Sequence, residues 1–104
     1  MFNPAKKVVI VTEKILLKNV VQIIHAAGGT GYTVIDAGGE GHRGVRAGSM
    51  GGHGEAFANV KIEVITARPE VAREIVTQVV DRYFGNFAGI AYVEDVEVVR
   101  SHQF

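Results

Sequence analysis

Four consecutive apolar residues, Val8 to Val11, stand near the start of a chain of only 104 residues. This run constrains the fold more than any other feature. The stretch Lys7 to Thr12 (KVVIVT) is β-branched and predicts a strand. Successive strand residues point to opposite faces of a sheet, so an unbroken apolar run must be buried on both. A last predicted strand, Gly89 to about Val99, makes the same demand through Ile90, Ala91, Tyr92, Val93, Val96, Val98 and Val99. One chain of this size has helices enough for one face of such a sheet. Two readings remain for the other. A closed homo-oligomer can turn its sheets inward, or the strand limits are displaced by a residue or two. The expectation is the oligomer.

The remaining elements follow from period and punctuation. Thr12 is positioned to cap a first helix, with Glu13 near the positive end of its dipole. Lys14, Lys18, Gln22 and His25 then share one face, while Leu16, Val20, Ile23 and Ala27 form the apolar one. Gly28 and Gly29 end that helix. Gly31 to Ala37 predicts a second strand and Asn59 to Thr66 (NVKIEVIT) a third. Pro69 suits the first turn of a second helix. There Val71, Ile75, Val79 and Tyr83 lean inward, Glu70, Arg73, Glu74, Thr77, Gln78 and Asp81 face water, and Gly85 stops it. The order βαββαβ predicts an α+β, ferredoxin-like fold: a four-stranded antiparallel sheet with two helices on one face.

Composition narrows the function. The length suits a single domain over residues 1–104. Eleven basic residues balance eleven acidic ones, which argues against nucleic acid, whose phosphates reward a basic excess. The absence of cysteine removes thiolate catalysis and zinc-thiolate sites. The apolar runs are too short to span a bilayer, no signal peptide is recognised, and a cytoplasmic location is expected.

Function should lie between the second and third strands, where the chain runs AGGEGHRGVRAGSMGGHGEAFA. Eight of the seventeen residues from Gly38 to Gly54 are glycine. The segment has about twenty residues and no helical or strand period, against a median connection of roughly 4–6. Glycines let backbone N–H groups approach a ligand closely. Arg43 and Arg46 can converge on phosphate oxygens; the alternative is two solvated arginines on a disordered loop. Gly39 to Gly44 matches G-x-G-x-x-G, but the residues that follow cannot form the helix a dinucleotide fingerprint needs. A backbone anion nest stays open to it.

The junction GYTVIDAGGEGHRGVR, the following VKIEVI and the late AGIAYVEDVEVV resemble the PII-like nitrogen and carbon signalling proteins. With the opening VVIVTEKILLKNV, the likeness is nearest to the bicarbonate-linked branch, the carboxysome-associated PII and SbtB-type proteins, and it runs from about Lys6 to Val99. The resemblance implies a homotrimer that binds adenine nucleotide in clefts between subunits. It also implies a T-loop, about residues 38–58, that changes order with the ligand and engages a target, such as a bicarbonate transporter or another membrane protein. Thr33 and the Gly39–Gly41 turn would line the cleft, Arg43 and Arg46 would meet phosphates, and Gly89 would offer its backbone. Glu63 matches the family's glutamate on the third strand, and Arg100 lies near a basic C-terminal position.

The departures are informative. Ile90 stands where classical PII proteins carry a basic residue after the glycine, Asn59 where they carry lysine, and Arg43 where they carry the glutamine used with magnesium and 2-oxoglutarate. Fewer cations favour ADP, AMP or cyclic AMP over ATP, with bicarbonate as a further ligand, and 2-oxoglutarate sensing is not expected.

Other constellations are weaker. His25, His42, His53 and His102 match no ligand spacing, and solvated histidines and no metal are expected. Glu40 with Glu55 could bind magnesium on a nucleotide. Ser49 has no grouped base. An RNA-recognition module would carry aromatics on the first and third strands, and KVVIVT and NVKIEVI have none. The alternative function is a slow nucleotide-phosphate hydrolase, with Arg43 and Arg46 stabilising phosphoryl transfer; no base stands out, and a non-enzyme is expected.

Overall fold

The computed structural model describes residues 1–38 and 58–99. Its elements run β1 (Asn3–Glu13), a single 3-10 turn (Lys14–Leu16), α1 (Leu17–Ala27), β2 (Thr33–Ala37), β3 (Asn59–Thr66), α2 (Pro69–Tyr83) and β4 (Gly89–Val98). The four strands form one sheet in the order β2-β3-β1-β4, and every neighbouring pair is antiparallel. This is the ferredoxin-like βαββαβ arrangement that the element order predicts.

Both helices cover the same face. Val8 and Ile10 of β1 and Val60, Ile62 and Val64 of β3 meet Val20, Ile23 and Ile24 of α1 and Val71, Ala72, Ile75 and Val79 of α2 in one buried cluster. β3 shows the cause most plainly: its residues alternate half-buried and buried along its whole length, because lysine, glutamate and isoleucine on one side alternate with three core aliphatics on the other. Burying a Val or Ile side chain contributes about 1.5–3 kcal/mol, so this cluster dominates the register of the sheet.

Helix ends behave as their chemistry requires. Gly28 terminates α1 in the left-handed region, φ 104°, and the N–H of Gly29 returns to the carbonyl of Ile24 at 2.8 Å. Pro69 starts α2 at a position whose N–H has no helical acceptor, and the N–H of Arg68 donates to Thr66 Oγ1 at 3.1 Å. Glu70, in the first turn of α2, has its carboxyl held below the ordinary value of 4.5 by its own backbone N–H and then by the side chain of Arg68. α2 ends at Tyr83, with Gly85 inside the turn that follows. The Tyr83 hydroxyl accepts from Asn19 Nδ2 at 3.1 Å, tying α2 to α1.

Three expectations need correction. β1 runs from Asn3 to Glu13 rather than from Lys7 to Thr12, and β2 begins at Thr33 rather than Gly31. Thr12 does not cap a helix. It is still strand, a 3-10 turn intervenes before α1, and neither Glu13 nor Leu16 makes a side-chain capping bond.

The second face of the sheet carries Lys7, Val9 and Val11 of β1, Lys61, Glu63 and Ile65 of β3, Thr33 and Ile35 of β2, and Ile90, Tyr92 and Glu94 of β4, as the pairing registers require. Both helices lie on the other side. Val9 is nonetheless buried among longer neighbours, whereas Ile35 and Ile90 are 49% and 58% exposed. The face is apolar with an ionic centre rather than uniformly apolar. Among the described residues, no helix is long and apolar enough to cross a membrane.

Candidate functional site

Three chain segments converge where β1 ends. In the sheet registers Thr12 lies opposite Gly89, the first residue of β4, and Glu13 lies opposite Asn59, the first residue of β3. The residues just outside those strands are fastened to the same corner. Thr12 Oγ1 donates to the carbonyl of Ala88 at 2.8 Å, and the N–H of Ala88 donates to Glu13 Oε2 at 2.7 Å. The N–H of Lys14 donates to the carbonyl of Ala58 at 2.8 Å, while Lys14 Nζ pairs with Asp36 Oδ1 at 3.1 Å. The corner therefore grips the turn before β4 and both flanks of the 39–57 segment. Thr12 and Glu13 are only 2% and 4% exposed. A carboxylate tolerates such burial when it accepts a strong, charge-assisted hydrogen bond.

Gly89 has a local reason to be glycine. A Cβ there would stand 2.3 Å from Cε1 of Phe84 and 2.4 Å from its Cζ, well inside van der Waals contact. The Phe84 ring lies directly against the Gly89 backbone, where that Cβ would stand.

Thr33 and Glu63 come together elsewhere. They face each other across the β2–β3 pair on the helix-free face. Glu63 Oε2 is 3.4 Å from Lys7 Nζ and 3.5 Å from Lys61 Nζ, and Lys7 also reaches Glu94 at 3.8 Å. Two ammonium groups and two carboxylates thus alternate across β1, β3 and β4. With its side chain 22% exposed, Glu63 still reaches the surface of the helix-free face, opposite Thr33 in the register.

Of the predicted site residues, the structure pairs Thr33 with Glu63 and sets Gly89 apart. Thr33 is on one edge strand of the sheet, Gly89 on the other, and β3 and β1 intervene. Along β1 the two sets are also offset, since Val9 pairs with Glu63 and Thr12 with Gly89. Gly39, Gly41, Arg43, Arg46 and Arg100 lie outside the described residues, as do His42, His53, His102, Glu40, Glu55 and Ser49. Among the described residues no three His, Asp or Glu side chains gather as a metal site. His25 instead packs edge-on against the ring of Tyr32, with centroids 6.0 Å apart.

Sequence reasoning missed the Thr12–Glu13 corner as part of the site. The signal was present, a polar pair ending an apolar strand, but it reads equally well as a helix start. Clefts of about 240 and 210 Å³ share Lys6, Pro69 and Asp95, and they lie towards the other end of the sheet, where Lys6 pairs with Asp95. They are remote from Gly89, which pairs with Thr12 six positions further along β1.

Comparison with known proteins agrees over the whole length. Residues 5–103 match the family described as Nitrogen regulatory protein P-II. A protein of Thermus thermophilus, assigned to the PII-like signalling class, has 38% sequence identity and a TM-score of 0.80, with 99% of this chain and 97% of that chain covered. CPII from Thiomonas intermedia K12, solved with ADP and bicarbonate bound, has 23% identity and a TM-score of 0.80, covering 100% of this chain and 97% of that one. The apo form of CPII, described as a nitrogen regulatory PII-like protein, has 20% identity and a TM-score of 0.73, with 96% and 97% covered. At those lower identities the likeness to CPII establishes the fold.

Proposed function

The chain belongs to the P-II family of nitrogen regulatory proteins, and on that premise we propose that it is a homotrimeric regulator binding adenine nucleotide in clefts between its subunits. One observation carries the reading. The residues proposed to hold nucleotide are split across one sheet, Thr33 on the edge strand β2 with Glu63 beside it on β3, and Gly89 on the opposite edge strand β4. A ligand of nucleotide size meets both sets only where the β2 side of one subunit approaches the β4 side of another. The helix-free face supplies the means of association, since Ile35, Ile90 and Tyr92 lie exposed upon it. Burying them between copies would gain about 25 cal/mol per Å² of apolar area removed from water.

The ligand is ADP or AMP in preference to ATP. Ile90 is a hydrocarbon side chain, 58% exposed, directly after Gly89, so no cation stands there for a third phosphate. CPII is described as bound to ADP, AMP and bicarbonate, and bicarbonate is the second ligand we assign to this protein. Arg43, Arg46 and the glycines at 39 and 41 complete the phosphate contacts, with Arg100 contributed from the C-terminal end. The segment 38–58 then reports occupancy to a partner in inorganic-carbon uptake or carboxysome-related metabolism, such as a bicarbonate transporter, from the cytoplasmic side. The assignment is to the bicarbonate-linked branch, and the activity is binding rather than turnover.

Titration calorimetry of AMP, ADP, ATP and GTP, each with and without bicarbonate, tests the reading. Adenine-specific binding that bicarbonate strengthens supports it. Equal affinity for GTP and ADP, or no heat with any nucleotide, overturns it.

A further inference from the structure

We infer that Glu13 is a positioning residue for the ligand site: together with Thr12 it clamps Ala88 at both its N–H and its carbonyl, and so sets the backbone of Gly89 relative to the Ala58 flank. The inference rests on the assignment of Gly89 as a ligand contact.

Among the described residues, the backbone bonds that close the turn before Gly89 stop at Phe87. Backbone bonds within that turn run from the N–H groups of Asn86 and Phe87 to the carbonyl of Tyr83, at 3.1 and 2.9 Å. Ala88 is held instead by side chains 75 and 76 residues away in sequence, Glu13 accepting at 2.7 Å and Thr12 donating at 2.8 Å. The next residue of the same corner, Lys14, holds Ala58 through its N–H at 2.8 Å. Three consecutive residues therefore fasten two segments that are distant from each other in the chain.

The residue types suit this role better than a packing role. Glu13 and Thr12 are almost wholly buried, so neither presents a surface of its own to a ligand. An apolar side chain at position 13 would fill the corner without the cost of desolvating a carboxylate. It would leave the partly buried N–H of Ala88 without this acceptor, and an unsatisfied donor drives the turn outward to find water. The Phe84 ring lies against Gly89 where a Cβ would stand. Gly89 is thus located by the β1 register, by the two bonds to Ala88 and by Phe84, and the bonds to Ala88 depend on the side-chain chemistry at positions 12 and 13.

Glu13→Gln keeps an oxygen acceptor, and Glu13→Ala removes it. ADP is titrated into the full chain and both variants, and the amide resonances of Ala88, Gly89 and Ala58 are followed alongside. The expected result is ADP affinity within about twofold of the parent for Glu13→Gln and about tenfold weaker for Glu13→Ala, with an unchanged oligomeric state. The three amides should move together in Glu13→Ala and return in Glu13→Gln. Should Glu13→Ala fail to fold, Thr12→Val and its rescue by Thr12→Ser give the same comparison at the carbonyl of Ala88. Parent-like ADP affinity in Glu13→Ala, or equal weakening in both Glu13 variants, overturns the inference. If the parent itself binds no ADP, the nucleotide assignment fails, while the amides still decide the clamp: displacement confined to Ala88, with Gly89 and Ala58 unmoved, overturns it.

Discussion

The ring of Phe84 occupies the space that a Cβ on Gly89 would need, with its Cε1 only 2.3 Å from that position. Gly89→Ala must therefore push aside either the ring, which packs at the margin of the core, or the turn. Overpacking of this kind costs about 1–3 kcal/mol. A lower urea denaturation midpoint than the parent's is expected, with a loss of unfolding free energy in that range. Adding Phe84→Leu to Gly89→Ala should recover part of the loss, because neighbours that clash are not additive.

Ile35 and Ile90 lie at opposite edges of the helix-free face, 49% and 58% exposed in the single chain. Replacing both with glutamate removes no intrachain core contact, so the folded chain should change by no more than about 0.5 kcal/mol per site. Assembly should suffer instead. Sedimentation velocity is expected to show a trimer for the parent and a folded monomer, by circular dichroism, for the double variant.

Arg46→Ala tests the phosphate contact proposed for the glycine-rich segment. A charge-assisted hydrogen bond contributes about 1.5–3 kcal/mol, so calorimetry should show ADP binding weakened by about tenfold or more, with the thermal midpoint unchanged. Affinity equal to the parent's would remove Arg46 from the site.

Glu70 supplies a pH-dependent test far from the ligand. Its own backbone N–H, and then Arg68, hold its folded-state carboxyl below the ordinary 4.5. The unfolded chain therefore takes up the proton first as the pH falls. The stabilisation is complete above about 4.5 and is lost as the pH drops through the lower folded-state value. Glu70→Ala should accordingly show a constant deficit in urea midpoint at neutral pH that narrows in acid. Because the pair is solvent-exposed, the deficit should shrink further in high salt.

Local chemistry made much of the fold legible. Alternation along NVKIEVIT marks β3 from Asn59 to Thr66, Pro69 marks the first turn of α2, and Gly28 marks the end of α1. In each case the decisive interactions lie within a few residues, so the signal is contained in a short stretch of chain. Thr12 shows where this stops. A threonine before a helical pattern reads as a cap, but its hydroxyl is committed to Ala88, 76 residues away. A hydroxyl serves either partner equally well, and only the folded chain brings the second within reach. The same limit applies to the site: Thr33 and Glu63 were both candidates, but their direct opposition comes from the β2–β3 register.

The βαββαβ order and the buried side of each helix were legible in the residues alone, because hydrophobic periodicity is a local property of the chain. Only the folded chain brings Thr12 and Glu13 to Ala88 in the turn before Gly89, and only it separates Thr33 and Gly89 to opposite edges of one sheet. Those are relations between segments distant in sequence. They depend on strand register and sheet order, which are set by packing across the core rather than by any short stretch of residues.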